Sequence, residues 1–386
     1  VLSDAVVHGG ELWEGEILAG NLSPADRFGI YAVMVWEKQG DMGTAERLFK
    51  RALMLDPNHI DTLNNYAWFL EVARHDIAGA DALYRHALQV APQRVDTLGN
   101  YGLFLWQAKA DDDGAEIMFR RALDIESSHV GNVGLFANFM WKRRGQLNEA
   151  QTLFERGLEL DPDNASLLGD AASFWFNALC QIVEAKNLYD RAVSADPNHG
   201  NNLAGLATLS WQAMANIETA ERLFERAVRL EPNNVDLLGN YAVFLWCGKA
   251  DPEMADIYFS RALELDPNHV GNLGSAAWFA LGRGEDVMGK QYLASALEKK
   301  TDDHVLELEL EFYRFVFLPE EEKAACARLN DLLSQGWRSP WWNLTAHIEQ
   351  AKRIGHQRFS LVLEYALIIM DEIPMTCADA EAVRNE

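Results

Sequence analysis

Cysteine is scarce in this chain of 386 residues, and the few present cannot organise a site. Cys180, Cys247, Cys326 and Cys377 lie 67, 79 and 51 residues apart, with no CxxC pair. That spacing indicates neither a zinc site nor a disulfide framework, and it fits a reducing compartment, so a cytoplasmic location is expected. Basic residues are short too: 34 Lys and Arg against 58 Asp and Glu leave a net charge of −24. A surface of that sign repels nucleic-acid phosphates and anionic lipid and keeps a long molecule dissolved, so neither nucleic acid nor membrane is an expected partner. No apolar run reaches the roughly 18 residues of a membrane span. The most apolar segment, 359–370, is broken by Glu364. The chain opens on Val1 without a basic stretch, so no secretory leader is expected, and an opening without Met is consistent with a processed or excised chain. Signatures of catalysis are missing as well: there is no GxSxG, no HExxH and no kinase set. Gly282-Arg283-Gly284 has no strand before it and no Lys-Ser/Thr after it, so it is not read as a phosphate loop. No enzymatic activity, metal or cofactor is expected.

What the chain has in abundance is repetition, with a period of 35 residues. One column is alanine: Ala45, Ala80, Ala115, Ala150, Ala185, Ala220, Ala255. Four residues on, it is aromatic: Phe49, Tyr84, Phe119, Phe154, Tyr189, Phe224, Phe259. Three further, it is small again, from Ala52 and Ala87 to Gly157 and Ala262. A period in this range means stacked units, none able to bury its apolar face alone. Within 97–131, Leu98, Tyr101, Gly102 and Leu105 form one helical stripe, and Ala115, Phe119 and Ala122 form a second after a polar turn around Asp111–Gly114. The second helix stops before a proline column, Pro57, Pro92, Pro162, Pro197, Pro232, Pro267, broken only by Ser127. The column Asp26, Asp61, Asp96, Gly131, Ser166, Asn201, Asp236, Gly271 offers helix N-caps, so the next helix is expected to start there or one turn earlier.

Small–aromatic–small–Pro in the second helix, with Leu…Tyr-Ala in the first, resembles the tetratricopeptide repeat (TPR). The resemblance covers about 27–305 as eight units: 27–61, 62–96, 97–131, 132–166, 167–201, 202–236, 237–271 and 272–305. It implies an all-α, right-handed α-solenoid of tandem helix-turn-helix repeats whose first helices line a concave groove. It also implies a non-enzymatic scaffold that binds a protein or peptide ligand. One departure stands out. The family period is 34, and here an extra residue recurs, expected in the turn between the two helices. The last unit drops it, since Gly289, Leu293 and Ala296 arrive one residue early. Residues 1–26 break register and are expected to form a partial helix that caps one end. Residues 306–386 also leave the pattern and are read as a helical cap, with helices at 305–317, 320–335, 343–354 and 358–372. A second interaction surface there is the other reading.

Tryptophan forms a further column in the first helices: Trp36, Trp106, Trp141, Trp211 and Trp246, with Phe176 in the same place and Glu71 and Leu281 departing from it. Seven residues earlier runs a small column, Gly29, Gly99, Gly134, Gly169, Ala204, Gly239, Gly274. Two readings fit. The rings form an aromatic ladder along the groove, or each lies over the neighbouring repeat's glycine and joins repeats. Asn65, Asn100 and Asn240 occupy a column that some family members use, together with Lys or Arg, to clamp a peptide's C-terminal carboxylate. The basic partners are missing: 62–72, 97–107, 167–177, 202–212, 237–247 and 272–282 contain no Lys or Arg. An acidic C-terminal tail is therefore disfavoured as ligand, while Asn can still hold a peptide backbone or bridge neighbouring helices. Arg74, Lys109, Arg144 and Lys249 recur after the first helix, where helix-end capping accounts for them. His59, His129, His199, His269 and His304 share a loop column but are too far apart for one metal, and are read as loop caps. Two other functions stay open: a regulatory arm within a larger complex, and an RNA-binding helical repeat, which would need the basic groove this chain lacks.

Overall fold

The computed structural model of the chain describes residues 22–370 apart from Lys300, Asp302, Pro340, Trp341 and Asn343. It is all-α. The helices run in antiparallel pairs: α1 (Pro24–Gln39) and α2 (Met42–Leu55), α3 (Ile60–Arg74) and α4 (Ile77–Val90), α5 (Val95–Gln107) and α6 (Asp112–Ile125), α7 (Val130–Lys142) and α8 (Leu147–Leu160). These make up one compact unit, ending at Pro162. The second unit, from Asp163, holds α9 (Ala165–Asn177) with α10 (Ile182–Ala195), α11 (Gly200–Gln212) with α12 (Ile217–Leu230), α13 (Val235–Cys247) with α14 (Pro252–Leu265), and α15 (Val270–Arg283) with α16 (Asp286–Leu297). It continues through α17 (His304–Phe317), α18 (Glu322–Ser334), α19 (Thr345–Arg353) and α20 (Phe359–Met370). The partial helix expected at 1–26 lies outside the described residues except where α1 begins. Among the described residues no helix is long and apolar enough to cross a membrane.

The repeat columns become the core. Ala45, Phe49 and Ala52 on α2, and their equivalents on α6, are fully buried. Within each unit second-helix aromatics reach forward to the next first helix: Phe49 stacks on Tyr66 at 5.2 Å, Phe119 on Phe136 at 5.8 Å and Phe224 on Tyr241 at 5.5 Å. The alanines let the paired backbones close up, and the rings fill the gap to the next pair. Where the Tyr-Gly stripe comes closest, at Gly102, a methyl group would sit 2.9 Å from the Phe119 ring.

The extra residue of the 35-residue period is visible as a left-handed backbone position in the turn between paired helices. Gly40, His75, Ala110, Gly145, Cys180, Ala215 and Ala250 all have φ between 51° and 67°. That conformation reverses the chain and lets the following residue bond back into the first helix, as Asp111 N–H does to the Leu105 carbonyl at 2.8 Å. Asp76, Asp111, Asn216 and Asp251 then cap the second helix through their side chains.

The first helices start differently from the sequence reading. Their N-caps are not the Asp column but residues two places earlier. His59, His129, His199 and His269 accept the N3 backbone N–H on Nδ1. Asn164 and Asn234 do the same with a side-chain oxygen. The Asp column receives the other ring nitrogen from the following repeat: His59 Nε2 is 2.8 Å from Asp26 and His129 Nε2 is 3.0 Å from Asp96. Pairing with Asp96 raises the His129 pKa, and Asp236 does the same for His269. His304 does not belong to this column. With one residue lost, Asp303 is the cap of α17, and the His304 ring lies 4.8 Å from Trp337.

A second lock joins first helices within each unit. The amides of Asn132, Asn202 and Asn272 donate across to the carbonyls of Val95, Ala165 and Val235, at 3.0, 2.9 and 3.0 Å. Their oxygens lie over the small column, where a Cβ on Gly99, Gly169 or Gly239 would come within 1.8–1.9 Å. That is why the column is glycine at these three places. The bases after the first helices are spent in ion pairs with the preceding second helix, beyond the helix-end role expected of them. Arg74 pairs with Glu46 at 2.7 Å, Lys109 with Asp81 at 3.0 Å, Arg144 with Glu116 at 2.9 Å, and Lys249 with Glu221.

Gly99→Ala should destabilise the fold by about 2 kcal/mol through overpacking against Asn132. Adding Asn132→Ala should return most of that loss, so a denaturation double-mutant cycle should show strong coupling. Additive costs would contradict the lock.

Candidate functional site

In each unit the first helices present an open column to solvent. Val72, Gln107, Lys142 and Asn177 are exposed, and Asn65, Asn100 and Asn240 stand half-buried or exposed on the same helices. These three asparagines make no side-chain hydrogen bond within the described residues, unlike the buried Asn132, Asn202 and Asn272. The two sets look alike in sequence, and only their angle on the helix separates free amides from committed ones.

The tryptophans are placed between repeats. Trp36 meets Phe69 of the next first helix edge-on at 5.3 Å, Trp106 meets Phe139 at 5.5 Å, Trp211 meets Phe244 at 5.6 Å and Trp246 meets Phe279 at 5.2 Å. The partners are thus aromatic, a phenylalanine each time and for Trp36 and Trp246 also Trp68 and Trp278, at 4.6 and 4.2 Å, and not the glycine column, which asparagine occupies at Gly99, Gly169 and Gly239. Trp106 is buried and Phe176 fully so, whereas Trp36, Trp141, Trp211 and Trp246 keep part of their rings accessible. Lys142 lies over the Trp141 ring with Nζ 5.2 Å from its centroid. Each half-buried ring therefore packs one edge inward and leaves the other beside the open column, an arrangement suited to gripping apolar groups.

Electrostatically the face is nearly neutral and slightly acidic. Glu71 stands where other repeats carry tryptophan, and burial pushes its carboxyl up to about 7. On α17, Glu309 accepts a hydrogen bond from Ser339 Oγ at 2.7 Å, and burial pushes it up to about 8. Neither carboxylate pairs with a base among the described residues. Cys247 and Cys326 are free thiols, and burial raises Cys247 to about 12. Cys377 lies outside the described residues.

One feature of this face gave no sequence signal beyond a change of residue type. In α15 the open column is occupied by Gly282, and α19 packs there. His347 Nε2 bonds the Trp278 carbonyl at 2.9 Å, Gln350 Nε2 donates to Asp286 at 3.0 Å, and the Arg353 guanidinium lies over Gly284. Burial holds the His347 imidazole down at about 4, so it is neutral at ordinary pH. The buried stripe of α19 is His347, Gln350 and Ala351, too polar to read as a packing face. Glycine at 282, where earlier repeats carry exposed side chains, is the trace it leaves in the sequence.

Family models described as tetratricopeptide repeat match residues 142–209 and 212–270. Residues 142–270 of the chain are tetratricopeptide repeats. No curated protein matches it. Among solved structures, the human IFIT1 dimer with m7Gppp-AAAA is 17% identical, with a TM-score of 0.52 over 76% of this chain and 68% of that one. A tetratricopeptide repeat protein from Parabacteroides merdae is 15% identical, with a TM-score of 0.48 over 65% of this chain and 97% of that one. YrrB, titled a TPR protein with an unusual peptide-binding site, is 19% identical, with a TM-score of 0.33 over 49% of this chain and 95% of that one. The likeness to the human structure shows the α-solenoid fold of this tetratricopeptide array, and no more than the fold.

Glu71 gives a pH test. Its pKa is raised from 4.5 to about 7 by burial, so the folded state holds a proton that the unfolded chain releases. Stability should therefore fall as pH rises from 4.5 to 7 on this account. Glu71→Gln should remove that slope and stabilise the protein by about 1–2 kcal/mol above pH 7, allowing for partial exposure. Thermal unfolding of both proteins across this range measures it, and parallel curves would contradict it.

Proposed function

We propose that the tetratricopeptide array is a non-enzymatic scaffold that binds a segment of another protein on the open column of its first helices. The observation that carries this reading is the set of amides without a partner inside the fold, Asn65 and Asn100 in the first unit and Asn240 in the second, the last on the same helix as the half-buried Trp246 ring. An amide offers both donor and acceptor to a passing backbone, and the ring edges offer apolar burial. The charge of the face favours a neutral or weakly basic segment over an acidic tail. Its charged groups there are chiefly Glu37, Glu71, Asp170 and Lys142, and the bases that follow the first helices, Arg74, Lys109, Arg144 and Lys249, are committed to ion pairs. A cytoplasmic setting rests on cysteine usage alone.

An RNA ligand is the reading of another class, and the human structure named above was solved with a capped oligonucleotide. Phosphates demand Lys or Arg at the contact. The first-helix stretches 62–72, 97–107, 167–177, 202–212, 237–247 and 272–282 contain neither. That absence favours protein over RNA.

Pull-down with the full chain, followed by mass spectrometry, supplies the partner. Asn65→Ala with Asn100→Ala, and separately Asn240→Ala, should leave the melting temperature unchanged, since these amides hold nothing inside the fold. At least one of the two variants should weaken the captured partner about tenfold, the worth of one or two hydrogen bonds. Unchanged affinity in both would remove the face as the site.

A further inference from the structure

The aromatic triad Trp36, Trp68 and Phe69 of the first unit recurs six repeats later, in the second unit, as Trp246, Trp278 and Phe279. The two triads share one internal geometry. Trp36 meets Trp68 at 4.6 Å and 64° and Phe69 at 5.3 Å and 88°. Trp246 meets Trp278 at 4.2 Å and 65° and Phe279 at 5.2 Å and 85°. What lies on them differs. The His347 ring stacks on Trp278 at 5.9 Å and 16°, and Trp278 is buried. Among the described residues no ring besides Trp36 packs on Trp68, and both of these indoles stay half-buried. The covered triad thus shows what such a surface accepts: a flat, nitrogen-bearing group laid parallel to the indole.

The residue three places after the second tryptophan differs as well. Beside Trp278 it is Leu281, wholly buried. Beside Trp68 it is Glu71, half-buried, with no base paired to it among the described residues. A leucine there packs, whereas a carboxylate loses water and gains no partner, a cost that nothing inside the first unit returns. Asn65, Trp68 and Val72 stand at i, i+3 and i+7 of α3, with Glu71 three residues after Trp68, and none of the four belongs to the buried side of that helix. Amide, ring and carboxyl therefore lie along one side of α3. The base that follows them, Arg74, is held by Glu46 and lies over Phe69. Glu37, next to Trp36 on α1, is exposed and adds charge of the same sign.

We infer that Trp36, Trp68 and Glu71 form a subsite for an arginine side chain of the bound protein segment. Its guanidinium lies flat on Trp68, as the His347 ring does on Trp278, and pairs with the Glu71 carboxylate, while Asn65 one turn back holds the segment's backbone. Arginine fits better than lysine. The guanidinium is planar, weakly hydrated and able to give two parallel hydrogen bonds to one carboxylate, whereas an ammonium is a strongly hydrated point charge. The indole face attracts the same cation. The inference rests on the first-helix face of the first unit being a binding surface, and it adds which residue of the ligand is read there.

The probe is the blocked tripeptide acetyl-Ala-Arg-Ala-amide, titrated into the full chain carrying fluorotryptophan and followed by fluorine NMR, with Trp36→Phe and Trp68→Phe to assign the two signals. The Trp68 signal should move saturably in the millimolar range. The same peptide with citrulline, which keeps the plane and loses the charge, should bind about tenfold more weakly, and with lysine about threefold more weakly. Glu71→Gln should abolish the preference for arginine over citrulline with circular dichroism unchanged, and Glu71→Leu, the residue of the covered triad, should do the same. Glu37→Gln, which removes an exposed charge, should cost less than about twofold. A Trp68 signal that stays still under arginine overturns the inference, and so does citrulline or lysine binding as well as arginine. A preference that survives both Glu71 variants overturns it too, as do equal losses from Glu37→Gln and Glu71→Gln. Failure of the probe while Asn65→Ala with Asn100→Ala still weakens a captured partner ends this inference and leaves the scaffold reading standing. Failure of both ends both.

Discussion

The structure depends on how closely one pair of helices can approach the next. No pair in the array can bury its own apolar face, so each second-helix ring must reach into the following pair, as Phe49 does to Tyr66 and Phe224 to Tyr241. That reach works only if the backbones approach to a fixed distance. Alanines set it on the second helices, where Ala45, Ala115 and Ala255 are wholly buried. Glycines set it on the first, where Gly99, Gly169 and Gly239 lie under the amides of Asn132, Asn202 and Asn272. Stability in such an array is a sum of pair and neighbour terms, so an error at one junction stays local in energy.

The junctions are not all alike. Histidine caps and asparagine locks occur together at the starts of α7, α11 and α15, two repeats apart. At the start of α13, Asn234 caps and Leu237 takes the place of the lock, with Asn234 reaching Asn201 at 3.3 Å. A histidine cap ties its helix to the previous repeat through its second nitrogen; an asparagine cap has only its amide for that task. The polar locks demand glycine opposite, whereas the leucine junction tolerates Ala204. The working period is therefore 70 residues as well as 35. In the second unit the polar locks of α9–α11 and α13–α15 flank an apolar seam at α11–α13, whereas the α3–α5 junction of the first unit is again polar, with Asn64 Nδ2 donating to Thr97 Oγ1 at 2.8 Å.

Much of this was legible in the columns, because columns record packing. The Ala–Phe–Ala pattern gave the helix pairs, the extra residue in the turn appears as the left-handed positions at Ala110 and Ala250, and the one-residue loss near the end moved the cap of α17 to Asp303. What escaped was chemistry that depends on angle. The Asp column looked like the N-cap, but the cap is the histidine two residues earlier and the aspartates are its partners in the next repeat. Asn100 and Asn132 are the same residue type, yet one faces out and the other is buried. The tryptophans reach past the glycines to phenylalanines because asparagine already holds the glycine. The helix expected at 343–354 is there as α19, but nothing periodic announces which side it packs, because its buried side is polar.

The distribution of charge follows from these contacts and bears on function. Acids exceed bases by 24, yet the excess does not reach the open face, because the first helices contribute almost no charge of either sign. Bases are drawn to the outer side, where Arg121, Arg226 and Arg261 hold the carbonyls of Pro92, Pro197 and Pro232 in the preceding loops. A face cleared in this way exerts little long-range pull on a ligand, so encounter with it is not electrostatically steered. If this face is the binding surface proposed above, selectivity comes from short-range fit: ring edges, amides without an internal partner, and the desolvated carboxyl of Glu71. A desolvated carboxyl near neutrality can meet an amide as an acid or a cation as a base, so on that proposal Glu71 would discriminate among ligands that the rest of the face accepts alike.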